Sequence, residues 1–161
     1  FTVDLILKHY PINSIKDVTG KLNIPFIKSP WDIDFIQIEA EKYTLNNIEH
    51  NILRQHFDEP RIHFGINCAS ISCPNLPPFA FKSEQVDSQL NVLARAFLAD
   101  TSKNKIKENE IHISKIFSWF SSDFTKNENI ISFLNRYSSL KIKDNASIDY
   151  KDYDWRLNDK K

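Results

Sequence analysis

Glu49, His50, His63 and Cys68 are crowded into one stretch of the chain, and between them they carry the groups that thiol chemistry needs. A cysteine attacks at neutral pH only when its thiol is deprotonated, which takes exposed backbone N–H donors or a nearby imidazolium. Cys68 opens a run of small residues, Cys68-Ala69-Ser70-Ile71-Ser72-Cys73-Pro74, in which several amides could stand unshielded. Such amides would stabilise a thiolate and the oxyanion of an acyl-transfer intermediate. His50 or His63 would act as general base and acid, and Glu49 would orient the imidazole. Arg54, Arg61, Asn67, Ser70 and Ser72 surround these residues in sequence and are the expected binding groups. The competing reading is a buried, inert cysteine, or a Cys68–Cys73 bridge, beside a structural polar core of Glu49, Arg54, Arg61 and His63.

A metal reading fits less well. His50, His63, Cys68 and Cys73 would make a Cys2His2 set, but the cysteine spacing is loose and the histidines follow no finger pattern. Neither a metal nor a cofactor is expected.

Two elements have to position the chemistry. Thr44-Leu45-Asn46 leads into a helix expected to run from an Asn46 cap to about Phe57. On a wheel of roughly 100° per residue, Glu49 lies in the apolar arc of Ile48, Ile52 and Leu53, with His56 beside it and His50 at the edge above Arg54. The Glu49 carboxylate is therefore expected to be largely removed from water and paired with Arg61 or His63. Its replacement by Ala should then cost roughly 2 to 4 kcal/mol. Arg61 to Asn67 reads as the best-buried strand. Alternation puts Arg61, His63, Gly65 and Asn67 on one face, with Gly65 admitting a close neighbour.

The remaining elements follow from punctuation and periodicity. Phe1 to Tyr10 reads as a helix stopped by Pro11, and Asn13 to Pro30 as turns. Asp34–Ile38 and Lys42–Leu45 form a hairpin. Ser83 caps a helix to Asp100 with Val86, Leu90, Leu93, Phe97 and Leu98 inward. A strand follows at Glu110–Ile113, then helices over Ser114–Phe124 and from Asn127 or Glu128 to Tyr137, then an extended aromatic tail, Ile148 to Trp155. The aromatics Trp31, Trp119, Phe120, Phe124, Tyr150, Tyr153 and Trp155 are read mainly as core, with a substrate cleft as the alternative. The fold class is α+β: one domain with a small mixed sheet packed with several helices.

Composition narrows the function classes. The chain has 161 residues, 41% of them hydrophobic, with 21 basic and 21 acidic side chains. Zero net charge removes the electrostatic argument for nucleic acid. Two glycines exclude glycine-rich phosphate loops, and no apolar run is long enough to span a membrane. The partner expected is a peptide or small-molecule substrate of unidentified structure. The oligomeric state is not legible. The absence of Met and of an export signal reads as an interior piece of a longer chain.

Several segments resemble a known family. They are Pro30-Trp31-Asp32, Tyr43 through Arg54, Glu59 through Pro74, Ser114 through Phe120, and Tyr153 through Asn158. The chain resembles the family called domain of unknown function 547. The resemblance maps motif positions onto Glu49, His50, Arg54, His63, Cys68, Ser72 and Pro74. It leaves the activity unassigned. It implies a bacterial member commonly exported, hence a secreted or periplasmic location, and plant members fused behind a leucine-zipper segment. Plant-like members lack a cysteine at the Cys73 position, which argues against a required bridge. An Asn-Ala-Tyr-Asn-like stretch that precedes the first helix in the family is absent here.

Overall fold

The structure is a computed structural model that describes residues 2–18, 29–34 and 36–159. Phe1, Gly20, Pro25 and Phe35 lie outside the described residues. The chain divides into two compact units: residues 1–58, 68–73 and 154–161, and residues 59–67 and 74–153. The class is α+β, with six α-helices, a two-stranded sheet and a three-stranded sheet among the described residues.

In the first unit, helix α1 (Thr2–His9) buries Leu5 beside Ile15 and Val18, with Ile6, Ile12, Trp31 and Ile33 packed around them. Strands β1 (Ile36–Ile38) and β2 (Glu41–Tyr43) form the expected hairpin, Ile38 opposite Glu41. Its tight turn puts Glu39 at φ 55, a left-handed conformation that a two-residue hairpin loop demands. The following helix is π-wound over Asn47–Leu53 and finishes with α2 (Arg54–His56). Thr44, not Asn46, caps it: Thr44 Oγ1 accepts the Asn47 N–H at 2.9 Å. Asn46 turns its amide to Asp32 Oδ1 at 2.5 Å and Ser29 Oγ at 3.3 Å. It thereby ties the helix start to the turn at Pro30–Asp32.

The second unit opens with a correction. Pro60–Phe64 is a 3₁₀ helix and not a strand. Pro60 fixes φ and has no N–H to lose at a helix start, and the Glu59 side chain accepts the Arg61 N–H at 3.0 Å. Local capping outweighs the β propensity of Ile62 and Phe64. Gly65 closes the turn by donating to Ile62 O at 2.9 Å. The close neighbour expected at Gly65 is Phe81, whose ring tip would lie 3.0 Å from an added Cβ.

Helix α3 (Val86–Ala99) buries Leu90, Leu93, Ala94, Phe97 and Leu98. Val86 is exposed, and Ser83 lies in the preceding turn, where its hydroxyl bonds Glu84. The three-stranded sheet is mixed: β3 (Lys105–Ile106) runs antiparallel to β4 (Glu110–Ile113), and β5 (Ser147–Tyr150) parallel to it. The expected Ser114–Phe124 helix is broken at Phe120 into α4 (Ile116–Trp119) and α5 (Ser121–Phe124). Asn129 caps α6 (Ile130–Tyr137), its side chain accepting the Ser132 N–H at 2.9 Å. Phe64, Phe97, Phe117, Phe124 and Phe133 form the centre of this unit's core. Among the described residues, no helix is long and apolar enough to cross a membrane.

Candidate functional site

The thiols lie in the first unit. Cys68 is half-buried and Cys73 is 4% exposed. Both are unbridged. Their sulfurs stand 2.9 Å apart, and the Cys68 N–H donates to Cys73 Sγ at 2.8 Å. The Ser70 hydroxyl lies 3.2 Å from Cys68 Sγ. The loop between them is held from inside and outside. Ala69 takes φ 57 and reverses the chain, and Cys73 N–H donates to Ser70 O at 3.1 Å.

The C-terminal segment then pairs along this loop. Ile71 N–H donates to Arg156 O at 2.9 Å, Ser72 N–H to Asp154 O at 3.2 Å, and Asn158 N–H to Ala69 O at 3.3 Å. Ser72 Oγ accepts the Asp154 N–H at 2.9 Å, and Ser70 bridges Leu157. Of the loop Ala69-Ser70-Ile71-Ser72, expected to leave several amides unshielded, the Ile71 and Ser72 N–H groups are thus spent on backbone carbonyls. Buried amides do not stay unpaired when a chain can run alongside them.

Glu49 and His50 sit on the π-wound segment, where no residue is fully buried. The Arg54 N–H reaches back five residues to Glu49 O. Such winding turns less per residue than an α-helix, so a wheel drawn at α spacing misplaces the apolar arc. Glu49 is half-buried rather than largely removed from water, and His56 and Phe57 are exposed. His50 Nδ1 lies 3.1 Å from Arg54 Nη1. A guanidinium can only donate, so Nδ1 accepts and the ring proton sits on Nε2.

Arg61, His63 and Asn67 belong to the second unit. His63 is 4% exposed, and its Nε2 lies 2.8 Å from Asp123 Oδ2. Its ring stacks on Phe120 at 3.9 Å between centroids, with the planes 20° apart. A carboxylate on one nitrogen and an aromatic face on the ring fix the imidazole's tautomer and orientation. Asp123 was not among the expected site residues. It lies sixty positions from His63, and no local spacing joins the two.

Arg61 is committed within its unit. Its Nε donates to Glu59 at 2.7 Å, Nη1 to Asn91 at 2.9 Å and Asp87 O at 3.3 Å, and Nη2 to Asp87 at 2.8 Å and to Glu59. Glu59 and Asp87 hold its guanidinium charged far above the ordinary arginine range, against the opposing effect of burial. Its five N–H groups are all used within its own unit. Asn67 Nδ2 donates to Pro74 O at 2.8 Å, closing the ends of the inserted thiol loop.

Among the aromatics, Phe124 is core, Trp119 packs on Tyr153 at 4.7 Å, and Trp31 on Trp155 at 6.1 Å with Lys16 Nζ 3.5 Å from the Trp155 ring. Among the described residues, no three His, Cys, Asp or Glu side chains are grouped to hold a metal ion.

The chain matches the family described as "Protein of unknown function, DUF547" over residues 1–98, and it belongs to that family. The match includes the Glu49–His50 helix and the thiol loop, and it ends before the resembling segments at 114–120 and 153–158. No curated protein and no solved structure matches the chain.

Proposed function

We propose that this family member is a cysteine-dependent hydrolase or acyl transferase acting on a peptide or amide, with Cys68 as nucleophile. The observation that carries this reading is the setting of the Cys68 sulfur. The residue is only partly buried, with the Ser70 hydroxyl at 3.2 Å as a donor to the thiolate, on a loop fixed by backbone pairing. The thiolate would add to the substrate carbonyl carbon as the C=O electrons move to oxygen. Collapse would expel the amine, which takes its proton from an imidazolium. Water, or an acceptor amine or alcohol, would then cleave the thioester. His50, in the same compact unit as Cys68, is the imidazole of this proposal. His63 belongs to the other unit, where Asp123 orients its ring. Glu49 stays in the proposal as a polar neighbour of His50 on the same helix.

The second reading is a non-catalytic binding or interaction module. It is favoured by the fully satisfied Arg61 cluster, which is a structural network as it stands. One measurement separates the two. Iodoacetamide alkylation of Cys68 in the Cys73→Ala protein is followed against pH, alongside labelling by thiol-directed acyl probes. The catalytic reading expects an inflection below the ordinary thiol value of about 8.5 and acyl labelling that disappears in Cys68→Ala. An inflection at or above that value with no acyl labelling leaves the binding module.

A further inference from the structure

We infer that Cys68 and Cys73 form a peroxide-responsive dithiol, in which Cys68 is the sulfur oxidised and Cys73 the sulfur that resolves it. This goes beyond the proposed acyl chemistry and does not depend on it. The two sulfurs are 2.9 Å apart, within about 1 Å of bonding distance. The left-handed Ala69, the Cys73 N–H on Ser70 O, and the pairing of Ile71 and Ser72 with the 154–156 segment hold both Cα positions.

The roles follow from exposure and donors. Cys68 is the less buried residue of the pair, and the Ser70 hydroxyl can donate to its thiolate. Cys73, at 4% exposure, is shielded from a dissolved oxidant but faces Cys68 directly. The Cys68 thiolate would attack one oxygen of a hydroperoxide. The O–O bond would break, the leaving alkoxide or hydroxide would take a proton, and Cys68 would become a sulfenic acid. Cys73 sulfur would then displace that hydroxyl, losing its own proton, so that an S–S bond forms and water leaves. Two electrons pass from the dithiol to the peroxide. Because the resolving sulfur is already in place, closure should outrun further oxidation of Cys68 to the sulfinate.

The test uses the whole chain, reduced, freed of reductant under nitrogen, and exposed to hydrogen peroxide before quenching with N-ethylmaleimide. Both cysteines fall in the tryptic peptide Ile62–Lys82. The expected result is that this peptide loses both alkylation sites together and the mass of two hydrogens, and regains both sites after phosphine treatment. In Cys73→Ala, Cys68 should instead accumulate a dimedone-reactive sulfenic acid. Wild-type protein that keeps both alkylation sites, carries a sulfinate at Cys68, or forms chain-to-chain dimers overturns the inference, and needs no variant to do so. Acyl-probe labelling of the reduced protein is run in parallel. Labelling without bridge formation overturns only the dithiol inference, and bridge formation without labelling overturns only the acyl-transfer reading.

Discussion

Removing the Arg61 guanidinium should loosen the second unit more than any other change at the sequence-expected site residues. The side chain is 11% exposed and Glu59 is 26% exposed, so their charge-assisted contact is largely shielded from water. Losing it costs about 1.5 to 3 kcal/mol. Asp87, 78% exposed, adds little, since a solvated ion pair contributes roughly 0 to 1 kcal/mol. The Asn91 bond is worth about 1 kcal/mol, and the arginine stem covers apolar surface that Ala would not. Arg61→Ala should therefore destabilise by about 3 kcal/mol. Arg61→Lys should cost about 1.5 kcal/mol, because an ammonium cannot present the planar pair of donors to Glu59.

The assay is urea denaturation followed by fluorescence of Trp119, with Trp31 and Trp155 replaced by Phe so that the signal reports the second unit alone. With a slope of roughly 1 to 3 kcal/mol per molar urea, Ala should lower the midpoint by at least about 1 M. A double-mutant cycle with Glu59→Gln should show coupling above about 1 kcal/mol, and one with Asp87→Asn less than half of that. If Ala and Lys both remain within about 0.5 kcal/mol of the parent, the network contributes nothing and the accounting is wrong.

The remaining predictions concern the same unit. Asn104 is 2% exposed and joins the end of α3 to the end of β4, giving Nδ2–H to Phe97 O at 2.7 Å and taking the Ser114 N–H at 3.0 Å. Asn104→Ala orphans the buried Ser114 N–H, while Phe97 O keeps the Asp100 N–H at 3.3 Å, and it should cost about 1 to 3 kcal/mol in the same urea assay, with a change under 0.5 kcal/mol counting against it. At Asp100, partial burial opposes ionisation, but the Lys103 and Ser102 hydrogen bonds outweigh it and hold the carboxyl below the usual range. A depressed folded-state pKa means stability that is present above the unfolded value of about 3.9 and lost as pH falls through the folded one. Asp100→Asn should therefore flatten the acid limb of a stability–pH curve and leave its alkaline limb unchanged. An acid limb as steep as the parent's would count against that assignment.

Elements written in local punctuation were legible in the sequence: the hairpin that turns after Ile38, the α3 stripe from Leu90 to Leu98, and the β4 strand at Glu110–Ile113. Two local signals misled. Ile62 and Phe64 invite a strand, but Glu59 and Pro60 together start a 3₁₀ turn, and capping decided the outcome. The Glu49 wheel assumed α winding, and nothing in Asn47–Leu53 announces five-residue hydrogen bonds. Contacts between distant positions were beyond reach. His63 with Asp123, and the thiol loop with residues 154–158, depend on chain reversals that periodicity does not encode. The cysteines themselves were conspicuous. That their sulfurs lie 2.9 Å apart was not.

The strand-like pairing of residues 70–72 with 154–157 also has a consequence in time. A ribosome delivers Cys68 and Cys73 more than eighty residues before the segment that frames them. Until Asp154 and Arg156 have emerged, Ile71 and Ser72 have no carbonyls to pair with, and the two thiols are carried on an open loop. A nascent chain therefore displays both cysteines to its surroundings while those intervening residues are made.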